Sequence, residues 1–130
     1  MAPVDFNQPG WTVKSGQLIW QPKAGAPEVA GHILLASGPF GETFIRFSKD
    51  PMEIVLARQT HEGWDLRIPA FNKSYGGRGK PPRRVAWFQL ADAVFRNSTS
   101  KDWRWQDRSE GRWALVNLKT GERLEGFFIQ

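Results

Sequence analysis

The chain contains no cysteine, only two histidines and a single tyrosine. The missing cysteine removes disulfides, thiolate metal sites, cysteine nucleophiles and lipid attachment through an N-terminal cysteine. So few histidines leave little material for metal or acid–base chemistry. His32 falls within an apolar strand and His61 in a turn, and neither has a second ligand at metal spacing. We read the first as packed and the second as solvated. No nucleophile–base–acid constellation stands out, so no catalytic residue, metal site or cofactor is expected. No apolar run approaches the ~20 residues that a membrane-spanning helix needs, and residues 1–6 carry neither a basic start nor an apolar leader core. The stretch Gly76-Gly77-Arg78-Gly79-Lys80 has the glycines of a phosphate-binding loop without its frame or the Ser/Thr that follows the lysine; it reads as a loop.

What is present fits one globular domain over 1–130, with 40% hydrophobic and 24% charged residues. Residues 1–10 read as a flexible N-terminal segment. The net charge of +5 suits an anionic partner such as nucleic acid or a membrane surface. The charge is nonetheless dispersed, and its only tight cluster is Arg78, Lys80, Arg83 and Arg84.

Turn residues punctuate the chain at short intervals, and Val, Ile, Phe and Trp fill the segments between them, the pattern of antiparallel β structure. Strands are expected at 11–20, 28–37, 42–48 and 53–59, read as a meander. The clearest alternation is Trp64-Asp65-Leu66-Arg67-Ile68, which places Trp64, Leu66 and Ile68 on one face and the charges on the other. Residues 71–82 contain Gly76, Gly77 and Gly79 and read as a long mobile loop. Pro81-Pro82 then opens a helix over 83–95, in which Val85, Phe88, Ala91 and Phe95 share a face flanked by Trp87, Leu90 and Val94. Strands resume at 103–106, 112–118 and 123–129. The fold class is therefore mainly β, of the α+β kind: a curved antiparallel sheet or incomplete β-barrel wrapping one amphipathic helix.

Seven Trp and nine Phe are ample for a core of this size, which favours a partly open, aromatic-lined cavity over a solid interior. Alternation nominates Trp20, Ile33, Leu35, Ile45, Phe47, Trp64, Leu66, Ile68, Trp87 and Phe88 as lining residues, and a one-residue bulge would invert the assignment on the paired strands.

The segment 31–46, Gly-His-Ile-Leu-Leu-Ala-Ser-Gly-Pro-Phe-Gly-Glu-Thr-Phe-Ile-Arg, resembles the strand–loop–strand hairpin of the bacterial outer-membrane lipoprotein localisation (LolA/LolB-like) family, closer to its lipoprotein receptor. That family places a Pro, a large apolar residue and a Gly in a protruding loop, matched here by Pro39, Phe40 and Gly41. The run Lys80-Pro81-Pro82-Arg83-Arg84-Val85-Ala86-Trp87-Phe88 is similar to the family's proline-led, Trp-bearing helix. The order of elements agrees over about residues 11–130, although the chain is shorter than the familiar members and has no N-terminal cysteine.

The resemblance implies a non-enzymatic carrier or receptor for a lipidated protein or other amphiphile. It further implies a periplasmic or outer-membrane location, a leader outside this sequence, and Phe40 as a membrane-contacting tip. A monomer is expected. Two alternatives remain open: a basic single-stranded nucleic-acid-binding β-barrel, ranked below the first because its aromatics lie beside aliphatics and not among cations, and a structural or protein-interaction module of the same fold.

Overall fold

A computed structural model describes residues 6–129; of the N-terminal segment 1–10, residues 1–5 lie outside them. Nine strands form one antiparallel sheet: β1 (Thr12–Gln21), β2 (Val29–Ser37), β3 (Thr43–Lys49), β4 (Met52–Gln59), β5 (Gly63–Ile68), β6 (Lys73–Arg78), β7 (Trp103–Asp107), β8 (Arg112–Asn117) and β9 (Arg123–Ile129). A single α-helix among the described residues, α1 (Ala86–Arg96), stands between β6 and β7 in the chain. The spatial order is β6-β5-β4-β3-β2-β1-β9-β8-β7, so β6 and β7 are free edges and the sheet does not close.

The sheet curls around the helix. α1 lies against both β3 and β8, which a flat sheet would hold ~19 Å apart at ~4.8 Å per strand. Likewise the ring of Trp20 on β1 comes within 6.3 Å of Phe71, which follows β5. Glycine permits this bend: a Cβ on Gly126 of β9 would lie 2.1 Å from the carbonyl oxygen of Gln17 on β1. Only a residue without a side chain lets the two backbones approach so closely on the concave side.

Alternation then fills the interior. Leu18 and Trp20, Ile33 and Leu35, Ile45 and Phe47, and Leu124 all point inward and are buried. A register shift does interrupt β3 and β4, but it falls beyond Phe47, between Phe47 and Ser48. The inward face expected for Ile33, Leu35, Ile45 and Phe47 is therefore kept. The extra residue leaves Ile54 and Val55 buried in succession. His32 occupies the outward phase of β2 and is exposed, not packed as its apolar neighbours suggested.

Two further expectations are corrected. Within 71–82, read as one long loop, residues Lys73–Arg78 form β6, paired along their whole length with β5 from Gly63↔Arg78 to Ile68↔Lys73. Three nearby glycines depress strand propensity, and pairing with β5 overrides it. The helix begins at Ala86, three residues later than expected, because Pro82–Val85 form a separate turn around Arg83 and Arg84, closed by the Val85 N–H donating to the Pro82 carbonyl, with Val85 still extended (φ −84, ψ 111). The helix ends at Asn97, which adopts the left-handed conformation (φ 57) and donates its N–H to the Asp92 carbonyl. Residues 6–10 are not free of the fold either. Phe6 packs on Trp11 and Phe44, with ring centroids 5.3 and 5.4 Å away.

Candidate ligand cleft

Most of the space under the sheet is occupied. Trp87 of α1 stacks on Phe47 at 5.2 Å and meets Trp20 edge-on at 5.4 Å. This trio seals the inner face of β2–β4, where Ile33, Leu35, Ile45, Phe47, Val55 and Ala57 are at most 1% exposed. Beyond β4 the filling stops. β5 turns Trp64, Leu66 and Ile68 toward the interior, but the paired inward positions of β6 hold Lys73, Tyr75 and Gly77, and all six β6 residues are exposed. A strand that brings no large apolar side chain leaves a gap beside the helix entrance.

That gap is an open cleft of about 270 Å³. Its sheet wall is Trp64, Leu66 and Ile68 of β5 with Tyr75 of β6, the cross-strand partner of Leu66; Pro82, Arg84, Val85 and Ala86 at the helix entrance and Trp20, Trp87 and Glu122 complete the lining. The helix entrance is anchored from below, where the Trp103 indole N–H donates to the Arg83 carbonyl at 2.8 Å. Trp64 is propped edge-on against Phe88 at 6.1 Å.

Of the ten residues expected to line a cavity, Trp20, Trp64, Leu66, Ile68 and Trp87 do so. Ile33, Leu35, Ile45 and Phe47 do not: Trp87 and Trp20 close the space above them, and they belong to the solid core. Phe88 is also buried and stands behind Trp64. Alternation identifies which way a side chain points, not whether another ring already occupies the space it points into.

The cleft also contains a carboxyl that the sequence did not single out. Glu122 follows the turn between β8 and β9, where the Asn117 side chain accepts the N–H groups of Lys119 and Thr120 at 2.8 and 3.0 Å. Gly121, at φ 78, then reverses the chain. This turn directs Glu122 inward, and its Oε2 accepts the Trp20 indole N–H at 3.0 Å. Burial pushes the Glu122 carboxyl up from 4.5 to about 7, with the indole hydrogen bond opposing the rise. No spacing motif marks such a residue; its position depends on a turn.

The hairpin tip lies at the other end of the helix. Pro39, Phe40 and Gly41 join β2 to β3, and Phe40 is 81% exposed. The tip is held from both sides. The Phe40 N–H donates to Glu42 Oε1 at 2.6 Å, and Arg96, near the helix C-terminus, donates to the Gly41 carbonyl at 3.2 Å. Gly41 sits at φ 82, a conformation that costs glycine little. With the cleft at Ala86 and the tip at Arg96, the two are separated by roughly the ~16 Å length of an eleven-residue helix.

Arg78, Lys80, Arg83 and Arg84 are all exposed. They do not form one site: Arg84 borders the cleft, whereas Lys80 and Arg83 line a separate polar groove beside Asp92 and Arg96. Burial raises the Asp92 carboxyl pKa there, opposed by its ion pair with Arg96 at 2.8 Å and by Lys80.

Among the described residues no group of His, Asp or Glu is arranged to hold a metal ion, and no helix is long and apolar enough to cross a membrane. No protein-family model matches the chain, and a search of the curated proteins finds no match.

Proposed function

We propose that the protein is a non-enzymatic binding module that takes an apolar or acylated chain into the cleft between β5, β6 and the helix entrance. In its fullest form this is a carrier or receptor in lipoprotein transport to the bacterial outer membrane, working on the periplasmic side. The observation that carries the reading is the open aromatic cleft beside an otherwise solid core. The curled sheet around one helix and the exposed Phe40 tip support the lipoprotein-localisation resemblance.

The size of the cleft limits what enters. At about 270 Å³ it lies just below the ~300–1,000 Å³ of small-molecule sites, so it accommodates part of one chain and not several. About eight buried methylenes at ~0.8 kcal/mol each contribute roughly 6 kcal/mol, which corresponds to dissociation constants between about 1 mM and 1 µM. Such a ligand is easily surrendered. The tip is too far away to touch it, so Phe40 serves by engaging the bilayer while the cleft unloads.

A fluorescent fatty acid tests this directly. The wild-type protein binds it, Trp64→Ala weakens binding at least tenfold, and Phe40→Glu leaves binding intact while slowing delivery to lipid vesicles. A chain with no measurable fatty-acid binding overturns the proposal, and unchanged delivery by Phe40→Glu removes the role of the tip.

A second reading draws on the four exposed cations along Arg78–Arg84, of which Arg84 shares the cleft with the exposed Tyr75: single-stranded nucleic acid following that stretch of chain. It requires steep loss of oligonucleotide binding with salt, and no binding at low salt eliminates it.

A further inference from the structure

We infer that the cleft selects ligands whose apolar chain carries a protonated amine, with Glu122 as the counter-ion and the Trp and Tyr rings as its cation-facing walls. This deepens the ligand-binding proposal above and rests on it. The argument begins with a carboxyl where an apolar site has no need of one. Leu66, Ile68 and Val85 provide grease, and the Trp20 indole N–H would be satisfied by a neutral acceptor. Glu122 instead brings a carboxyl into a cleft whose other acidic contributors, among the described residues, number none.

The basic residues nearby do not serve it. Its chain neighbour Arg123 turns to Glu125 at 3.6 Å, and Lys119 pairs with Asp102 at 3.5 Å. Arg84 and Tyr75 are the other charged or titratable groups lining the cleft. Arg84 is exposed at the mouth and makes no ion pair with Glu122 within 4.0 Å. The carboxyl therefore lacks a buried cation, and a ligand has room to bring one.

Four aromatic side chains, Trp20, Trp64, Tyr75 and Trp87, line the same cleft as the carboxyl; Trp20 touches it through its indole N–H, and Trp87 packs on Trp20. Ring faces attract ammonium groups, Trp most strongly, and the attraction grows where water is excluded. An ionised carboxyl set among such rings favours a cationic head over an anionic one on both counts. The raised proton affinity of Glu122 is the expected mark of a buried acid with no cation beside it, since a cation would favour the charged form.

A pH dependence follows. The cation binds the ionised form, so a carboxyl titrating near 7 goes from mostly protonated at pH 6 to mostly ionised at pH 8. Affinity should rise about tenfold over that interval, because the binding-competent fraction rises by that factor. A quaternary ammonium keeps its charge throughout, so the slope belongs to the protein.

The test compares three probes of equal chain length below their micelle concentrations at moderate salt: dodecyltrimethylammonium, dodecanol and dodecyl sulfate. Wild type at pH 8 should bind the ammonium at least tenfold more tightly than the sulfate, against the pull of its own positive net charge. Glu122→Gln, which retains an acceptor for the Trp20 indole, should lose both the preference and the pH slope while still binding dodecanol.

Arg84→Ala should leave the preference intact. A short-chain phosphatidylethanolamine and an S-acylated dipeptide with a free α-amine then distinguish an aminolipid from an acylated polypeptide end; tight binding of either supports the inference. Equal binding of ammonium and sulfate, or a preference surviving Glu122→Gln, overturns the inference while dodecanol binding upholds the broader proposal. Failure of all three chains ends both.

Discussion

Under β2–β4 the concave face of the sheet is sealed, and beside β5–β6 it is open, although residues of the same helix border both. The difference lies in what the facing positions supply. On the closed side Phe47 meets Trp87 face to face, and Ile33, Leu35 and Ile45 fill the layer beneath. On the open side Trp64, Leu66 and Ile68 look inward, but the neighbouring strand answers them with Lys73, Tyr75 and Gly77. A cavity here is not a packing failure spread through the core. It is the place where one edge strand stops contributing apolar volume.

The contrast is broken most severely from the closed side. Phe47→Ala should cost about 3–5 kcal/mol, as for other fully buried aromatics, read as a lower urea midpoint. Trp64→Ala, at a partly exposed wall, should cost only about 2 kcal/mol yet abolish most chain binding. A wall residue as costly as Phe47 would mean that the two sides are equally packed.

Glu122 sharpens the comparison through pH. Its carboxyl titrates near 7 in the folded chain against 4.5 as the ordinary value. Between these values the folded state keeps a proton that the unfolded state has released, so stability falls as pH rises. Glu122→Gln should therefore match wild type near pH 4.5 and exceed it at pH 8, by on the order of 1 kcal/mol once solvent screening is allowed for. Urea unfolding at the two pH values measures this, and parallel pH profiles would contradict it. The smallest effect belongs to the tip. Phe40→Glu should shift stability by less than about 0.5 kcal/mol, because the ring is in solvent.

The strands β1–β5 and β7–β9 were legible because turn residues separate segments rich in Val, Ile, Phe and Trp, and each falls within about a residue or two of its expected bounds; alternation is clean in β5 but broken in β2, β4 and β8, where neighbouring residues are buried in succession. β6 was not, since Gly76 and Gly77 carry no strand signal and only the pairing with Trp64 and Asp65 defines it. The helix was legible in its apolar residues but not in its start, where Pro81-Pro82 looked like a first turn and proved to be a separate one. For the cleft, β5 was read correctly from its clean period of two. The closed half was misassigned because nothing along the chain reveals that Trp87 and Trp20 fill the space over Ile33, Leu35, Ile45 and Phe47. Glu122 was missed for the opposite reason: a polar residue after a glycine turn looks like surface until Gly121 is seen to reverse the chain toward Trp20.

The exposed β6 edge bears on how the molecule behaves in company. Antiparallel docking of two such edges in register would set Lys73 of one copy against Arg78 of the other, like charges face to face at both ends of the ladder. Growth of the sheet from molecule to molecule is thereby discouraged, and the cleft beside β6 stays unobstructed.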